Sequence, residues 1–204
     1  IIQVFMQNRS AASMEQLLRE KMEELDRELS HLKAVRKTLA CHHRNMQTLL
    51  TMDLSQIRTV RKKAHCFVTV TITPDTSFDR LVELITDETK KYQLRRLHDA
   101  SYGTMIPVES LLQSKFENYT KMFIEIPLPI KRAGLHIQPA GEYVQAFYRE
   151  SADNAVLCYQ RILKYAEKHG LMLSGFAYEV IINENVIDRM EDALVQIEIP
   201  VTRI

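Results

Sequence analysis

Between Ser13 and about Met52 the chain carries two interleaved seven-residue repeats. One is Leu18, Leu25, Leu32, Leu39 and Met46; the other, four positions on, is Met22, Leu29, Arg36, His43 and Leu50. No proline or glycine interrupts them. A repeat kept up for about four heptads specifies one long helix with a single apolar seam. Glu15, Arg19, Glu20, Lys21, Glu23, Glu24, Asp26, Arg27 and Glu28 cover its other faces. A helix cannot bury a seam against itself, and roughly 35 unbroken residues exceed the usual globular helix. A dimeric coiled coil is therefore expected rather than a bundle helix inside one domain. Arg36 and His43 interrupt the seam, and polar residues there set register or orientation. Ser13 is the expected N-cap, with Gln16 completing a capping box and Glu15 suiting a helix start.

A chain of 204 residues suits one or two domains and can bury a real core. Its net charge of +1 shows no overall commitment to nucleic acid or membrane. Cys41, Cys66 and Cys158 lie far apart and form no CxxC pair, which fits a reduced, cytoplasmic chain better than a disulfide framework. No apolar run approaches about 18 residues and no signal peptide is evident, so no membrane association is expected. No motif for a cofactor stands out. The opening Ile1-Ile2-Gln3-Val4-Phe5-Met6 is apolar and helix-like, which suggests the last turns of a helix from a preceding domain.

Beyond the long helix the period changes from helical to alternating. Cys66, Val68, Val70 and Ile72 alternate with Phe67, Thr69 and Thr71, which reads as a strand. Pro74 to Ser77 make a turn and cap. Phe78, Leu81, Val82, Leu84 and Ile85 then give a helix reaching about Tyr92. Strands are expected near Ala100–Val108 and Tyr119–Leu128. The same order follows again: a strand over Gly141–Tyr148, a helix capped by Ser151 or Asp153 and stopped by Gly170, then strands over Gly175–Ile182 and Ala193–Val201.

The repetition extends to residues. Ile124-Glu125-Ile126-Pro127-Leu128 closes the first half and Ile197-Glu198-Ile199-Pro200-Val201 the second. Tyr102 precedes the first motif much as Tyr178 precedes the second. A duplicated β-α-β-β unit, joined into one sheet with two helices on one face, is the economical architecture, and the class is α+β. The other face of the sheet is then expected to be open.

A long helix followed by such a duplicated unit resembles the C-terminal part of a MerR-type transcription regulator with a gyrase-inhibitor-like (GyrI-like) effector domain. The resemblance is carried by Pro139-Ala140-Gly141-Glu142-Tyr143, the helix Ala155–His169, Tyr178-Glu179-Val180-Ile181-Ile182 and the closing Ile197–Val201, with Ser101-Tyr102-Gly103 as the anchor in the first half. It implies three parts: residues 1–10 as the remnant of a winged-helix DNA-binding domain, 11–53 as a coiled-coil dimerisation helix, and 54–204 as the GyrI-like effector-binding domain. It further implies a homodimer through antiparallel long helices, promoter DNA distorted by the absent head, and RNA polymerase at that promoter. A small organic ligand, of the kind taken by multidrug sensors, would be the effector.

Glu179 is the residue most worth weighing. Alternation puts it on one strand face with Ala177 and Ile181, and Phe176, Tyr178, Val180 and Ile182 on the other. The fuller apolar set is expected to pack on the helices, leaving Glu179 on the open side. The residues alone leave two readings, a solvated carboxylate on an exposed sheet or a counter-charge in a cleft. In drug-sensing relatives a glutamate at the matching position attracts cationic ligands. The resemblance likewise points to Phe78, Tyr102 and Tyr119 as aromatic walls for stacking and cation–π attraction, and Tyr148 is expected close to the cleft. Three further positions where aromatics are expected read Glu150, Ala155 and Ala193, which implies a wider, more acidic pocket. Glu150 would then favour ligands with two amines.

Two other chemistries are weighed against this. Cys41-His42-His43 invites a metal, but successive helical positions are about 100° apart, and a register-setting polar pair explains them better. Some GyrI-like domains resemble small hydrolases, and Glu179 with Tyr102 or Tyr148 would serve as base and proton donor. The chain shows no nucleophile–base pair, phosphate loop or metal motif, so no catalytic residue is named and a regulator is expected. A GyrI-like hydrolase or a ligand-sequestering protein is the alternative.

Overall fold

The computed structural model describes residues 10–73, 75–91, 101–126 and 134–203, without the side chains of residues 38, 41, 42, 45, 78, 79 and 82. The expectations for residues 1–9 and for a Cys41-His42 metal pair lie outside these described residues. The chain divides into two compact units, Ile1–Met52 and Asp53–Ile204.

The first unit is the helix α1, Ala11–Leu50. It begins three residues earlier than the sequence suggested. Ser10, not Ser13, is the N-cap: its side chain accepts from Ser13 N, while the Ser13 side chain accepts from Ser10 N, both at 3.1 Å. Serine fills both places of the capping box, so no glutamine is needed at the third position. Ion pairs such as Arg19–Glu15 at 2.8 Å decorate the exposed faces and are worth only about 0.3–0.5 kcal/mol each. Leu18, Met22, Leu25, Leu29, Leu32 and Leu39 are all at least half exposed. The seam read from the heptads is therefore present and uncovered in the single chain.

The second unit is an antiparallel sheet with helices on one face, so the α+β class read from the sequence holds. In chain order its elements are β1 (Arg58–Lys62), β2 (His65–Thr71), α2 (Phe78–Lys91), β3 (Tyr102–Pro107), α3 (Val108–Leu112), β4 (Lys121–Ile126), β5 (His136–Gln138), β6 (Gly141–Arg149), α4 (Ala152–Lys168), β7 (Leu171–Leu173), β8 (Phe176–Ile181) and β9 (Leu194–Arg203). Among the described residues the strands run β1-β6-β9-β8-β3-β4-β2-β5, with β7 on β9.

The duplication is visible in that order. The first half, β2-α2-β3-β4, is arranged β3-β4-β2, and the second, β6-α4-β8-β9, is arranged β8-β9-β6. They meet at β3 and β8, where Thr104 faces Glu179 and Met105 faces Tyr178. Register sets the equivalences. Tyr102 pairs with Ile124 as Glu179 pairs with Ile197, and Val68 with Ile124 as Ala146 with Ile197. The counterpart of Tyr102 is thus Glu179, not Tyr178. Gly103 permits the central approach: a Cβ there would stand 1.9 Å from the Glu179 carbonyl oxygen and 2.8 Å from the Phe123 ring.

Both long helices of this unit cover the same sheet face. Ser151 caps α4 by accepting from Asn154 N at 3.1 Å, and Gly170 ends it in a left-handed conformation at φ 61°. Ala155, Cys158, Tyr159, Ile162 and Ala166 form its buried stripe against Val144, Ala146, Ala177, Ile197 and Ile199. Tyr159 and Ile162 are fully buried, and removing a side chain such as Ile162 costs about 2–5 kcal/mol. On the other half, Leu81, Leu84 and Ile85 of α2 pack on Val70, Ile124 and Met122. Among the described residues of this unit, no helix packs on the opposite sheet face. That face is nonetheless buried by its own aromatic cluster of Phe67, Phe123, Tyr143 and Tyr178 with Met105.

Candidate ligand-binding site

The site is assembled from β8, β6, α4 and the loop between α3 and β4. β8 is central in the sheet and alternates as expected, with Ala177, Glu179 and Ile181 on one face and Phe176, Tyr178 and Val180 on the other. The assignment of faces is the reverse of the sequence expectation. Glu179 lies on the side that α4 covers, and the fuller apolar set lies on the side of the aromatic cluster. The larger apolar residues there bury one another: Phe67 stacks on Phe123 at 4.4 Å, and Tyr178 meets both edge-on.

Glu179 is 6% exposed. Tyr119 and Tyr148 donate their hydroxyls to its Oε2 at 3.1 and 3.3 Å, and Tyr159 donates to Oε1. Among the described residues its partners are hydroxyls and not a cation. Burial pushes the carboxyl up to about 7; the three phenols pull it down, and the like charge of Glu150 adds to the rise. Burial and the neighbouring carboxylate hold all three tyrosines protonated well beyond the usual phenol range, so they serve as donors. Such a carboxylate is hydrogen-bonded but unneutralised in a desolvated place.

The loop from Gln113 to Thr120 brings Tyr119 to the carboxylate. Ser114 takes a left-handed turn at φ 59°, and Asn118 Nδ2 donates to Ser110 Oγ at 2.8 Å. Phe116 from the same loop stacks nearly parallel on Tyr159, with ring centroids 5.8 Å apart. The second carboxylate, Glu150, is half-buried just after β6, and its N–H donates to the Ala193 carbonyl at 2.8 Å. Burial raises its carboxyl as well.

Of the residues read from the sequence, Glu179, Tyr119 and Tyr148 are in direct contact and Glu150 acts on them through its charge. Ile181 is partly buried on the same face and packs on the α4 core. Tyr102 is not a partner of the carboxylate; it is 36% exposed and its hydroxyl donates to Glu184. The side chain of Phe78 lies outside the described residues. Ala155 and Ala193 are buried. Tyr159 and Phe116 were missed as site residues. A tyrosine in the buried stripe of a helix needs a partner for its hydroxyl, and that requirement was the available signal for Tyr159.

Among the described residues no group of three or more His, Cys, Asp or Glu is placed to hold a metal ion, and no helix is long and apolar enough to cross a membrane.

A multidrug-efflux transporter 2 regulator from Bacillus subtilis is 24% identical over 194 residues, covering 92% of this chain and 69% of that protein. Two solved structures share the fold. EcmrR, in a cryo-EM structure of its complex with DNA, has a TM-score of 0.51 at 13% identity, over all of this chain and 76% of its own. A hydrolase from Listeria innocua has a TM-score of 0.52 at 11% identity, over 77% of this chain and 97% of its own. The model of the GyrI-like small molecule binding domain matches residues 56–202, which takes in every residue around Glu179 and all of the sheet but the last residue of β9. The chain belongs to the GyrI-like small-molecule-binding family.

Proposed function

We propose that this chain is the sensing part of a MerR-type, multidrug-responsive transcription regulator, and that its GyrI-like domain takes up an organic cation with Glu179 as the counter-charge. The observation that carries this is a carboxylate 6% exposed, held by Tyr119, Tyr148 and Tyr159 and by no cation among the described residues. A lipophilic cation entering there relieves the desolvation that raises the Glu179 carboxyl, whereas a neutral molecule of the same shape does not. Ile181, on the same strand face, completes the wall in this reading, and Tyr102 stands at the exposed rim. Glu150 supplies a second negative charge, so a ligand with two amines is preferred over a singly charged one, and added salt weakens the preference.

The rest of the regulator follows from the same reading. The uncovered seam of α1 pairs with a second copy, antiparallel, to form a cytoplasmic homodimer. A winged-helix head preceding α1 binds and distorts promoter DNA beside RNA polymerase when the effector site is filled. The Bacillus subtilis relative, a regulator by name, supports this assignment. Calorimetric titration with tetraphenylphosphonium and with neutral triphenylphosphine oxide tests the ligand class. Binding of the cation at least tenfold tighter is expected; equal affinities contradict it.

A hydrolase reading is favoured by one observation, a buried carboxyl held by three tyrosine hydroxyls, which burial pushes up to about 7. Such a carboxylate can accept a proton as a general base. Turnover of a hydrophobic ester that disappears in Glu179→Gln would establish it. The regulator reading expects no turnover above buffer.

A further inference from the structure

We propose that helix α4 is a relay, with Tyr159 gripping Glu179 at one side and Arg161 gripping the segment that continues from α1 at the other. This concerns the regulation of the Glu179 site, so it rests on the reading of that site as a sensor. Three observations carry it.

Tyr159 and Arg161 are two positions apart on one helix, hence about 200° apart around its axis. Tyr159 points inward and is fully buried, donating to Glu179 Oε1. Arg161 points outward and is exposed, and its Nη2 donates to the backbone carbonyl of Ser55. One rigid helix therefore holds the candidate effector site and a piece of backbone only a few residues after the end of α1.

The segment Arg161 holds is an ordered structure in its own right. Asp53 accepts from Ser55 N at 2.9 Å and from Ser55 Oγ at 2.6 Å, and Gln56 N donates to the Asp53 carbonyl at 3.2 Å. The two bonds from Ser55 hold the Asp53 carboxyl below the usual range, and Arg161 adds to the effect from α4. Ile57 then packs into the same core that α4 covers. The segment is held at both its ends, by Asp53 and by Ile57, with Arg161 between.

The third observation is the asymmetry of the three phenols. Tyr119 lies on the α3–β4 loop and Tyr148 on β6, so neither of their hydroxyl bonds ties α4 to Glu179. Tyr159 alone among them belongs to α4. A ligand that takes the place of the Tyr159 hydroxyl on Glu179 frees α4 at its inner side. The helix then settles without that tether, and the pull of Arg161 on Ser55 changes with it. Displacing Tyr119 alone sends nothing to the segment.

The test needs no ligand. Amide hydrogen exchange is followed at Ser55 and Gln56, whose N–H groups are both hydrogen-bonded, in the whole chain and in Tyr159→Phe, Tyr119→Phe and Arg161→Gln. Amides of β6 and β9 serve as the reference for global unfolding. Tyr159→Phe keeps its ring and should raise exchange at Ser55 and Gln56 roughly fivefold or more beyond whatever rise the β6 and β9 amides show from lost global stability. Arg161→Gln should raise the same two amides, and Tyr119→Phe should leave them at the wild-type rate. Exchange in Tyr159→Phe equal to wild type overturns the relay. An equal rise in Tyr119→Phe also overturns it, because general loosening of the site would then suffice. Failure here leaves cation binding at Glu179 standing, and failure to bind a cation leaves this result unaffected.

Discussion

Tyr102 stands opposite Ile124 and Glu179 stands opposite Ile197, so the two residues hold the same station in the two halves of one sheet. Their environments have diverged. Tyr102 is at the exposed rim with its hydroxyl on Glu184, and Glu179 is buried beneath α4 among three phenols. The shared Ile-Glu-Ile-Pro motif thus marks a duplicated frame in which only one half carries the charge.

The frame depends on Gly103. A methyl group there meets the Glu179 carbonyl at 1.9 Å, and backbone cannot swing aside as a flexible side chain can. Gly103→Ala should cost at least about 2 kcal/mol in urea denaturation. Gly141→Ala, where a Cβ meets nothing within 4 Å, should change stability by no more than about 0.5 kcal/mol.

The buried carboxylate makes stability depend on pH. The folded-state value for Glu179, about 7, lies above its ordinary value of 4.5, because burial favours the protonated form. Folding is therefore helped below about pH 4.5, and that help is lost as pH rises through 7. Glu179→Gln removes the penalty of the ionised form. Its unliganded domain should be more stable than wild type by about 1–3 kcal/mol at pH 8, with the gap closing toward pH 4. Denaturant melts at the two pH values check this.

The phenols act in the opposite sense. Each donates to the ionised carboxylate and so lowers its proton affinity, Tyr159 most of all. Tyr159→Phe should move the Glu179 carboxyl titration, followed by carbon-13 NMR, upward by about 0.5–1 unit. Tyr148→Phe should move it upward by less.

The seam of α1 supplies a separate prediction. Leu25 and Leu32 are 56% and 60% exposed in the single chain. Replacing both with Asp puts unpaired charge in the middle of the proposed helix pair, which a modest interface does not survive. Sedimentation should show wild type as a dimer and the double variant as a monomer.

Much of this architecture was legible. The heptads of α1, the period-two strands β2, β6, β8 and β9, and the repeated closing motif each state a local preference that the fold keeps. Short elements were not legible. β1, β5, β7 and α3 have three to five residues each, too few for a period to show. The face of Glu179 was misread for a definite reason. β8 is central and buried on both faces, with Ala177 at 0% and Tyr178 at 4% exposure, so apolar content could not tell the helix side from the other. The small Ala177 marks the side where a helix presses close. Tyr159 stayed hidden because an aromatic at helical spacing reads as core, which it also is.

The most direct measurement is the affinity of tetraphenylphosphonium for wild type and for Glu179→Gln, by calorimetry, at pH 8 and at pH 5.5. At pH 8 the wild-type carboxylate is ionised, and Glu179→Gln should bind about ten- to a hundredfold more weakly, the range for losing a charged contact. Below pH 7 the wild-type affinity should fall by roughly tenfold per unit as the carboxyl takes up its proton, so the two proteins converge by pH 5.5. Equal affinities at pH 8, or a wild-type affinity that does not change with pH for cation shown to occupy the site, would contradict the assignment of Glu179 as the counter-charge.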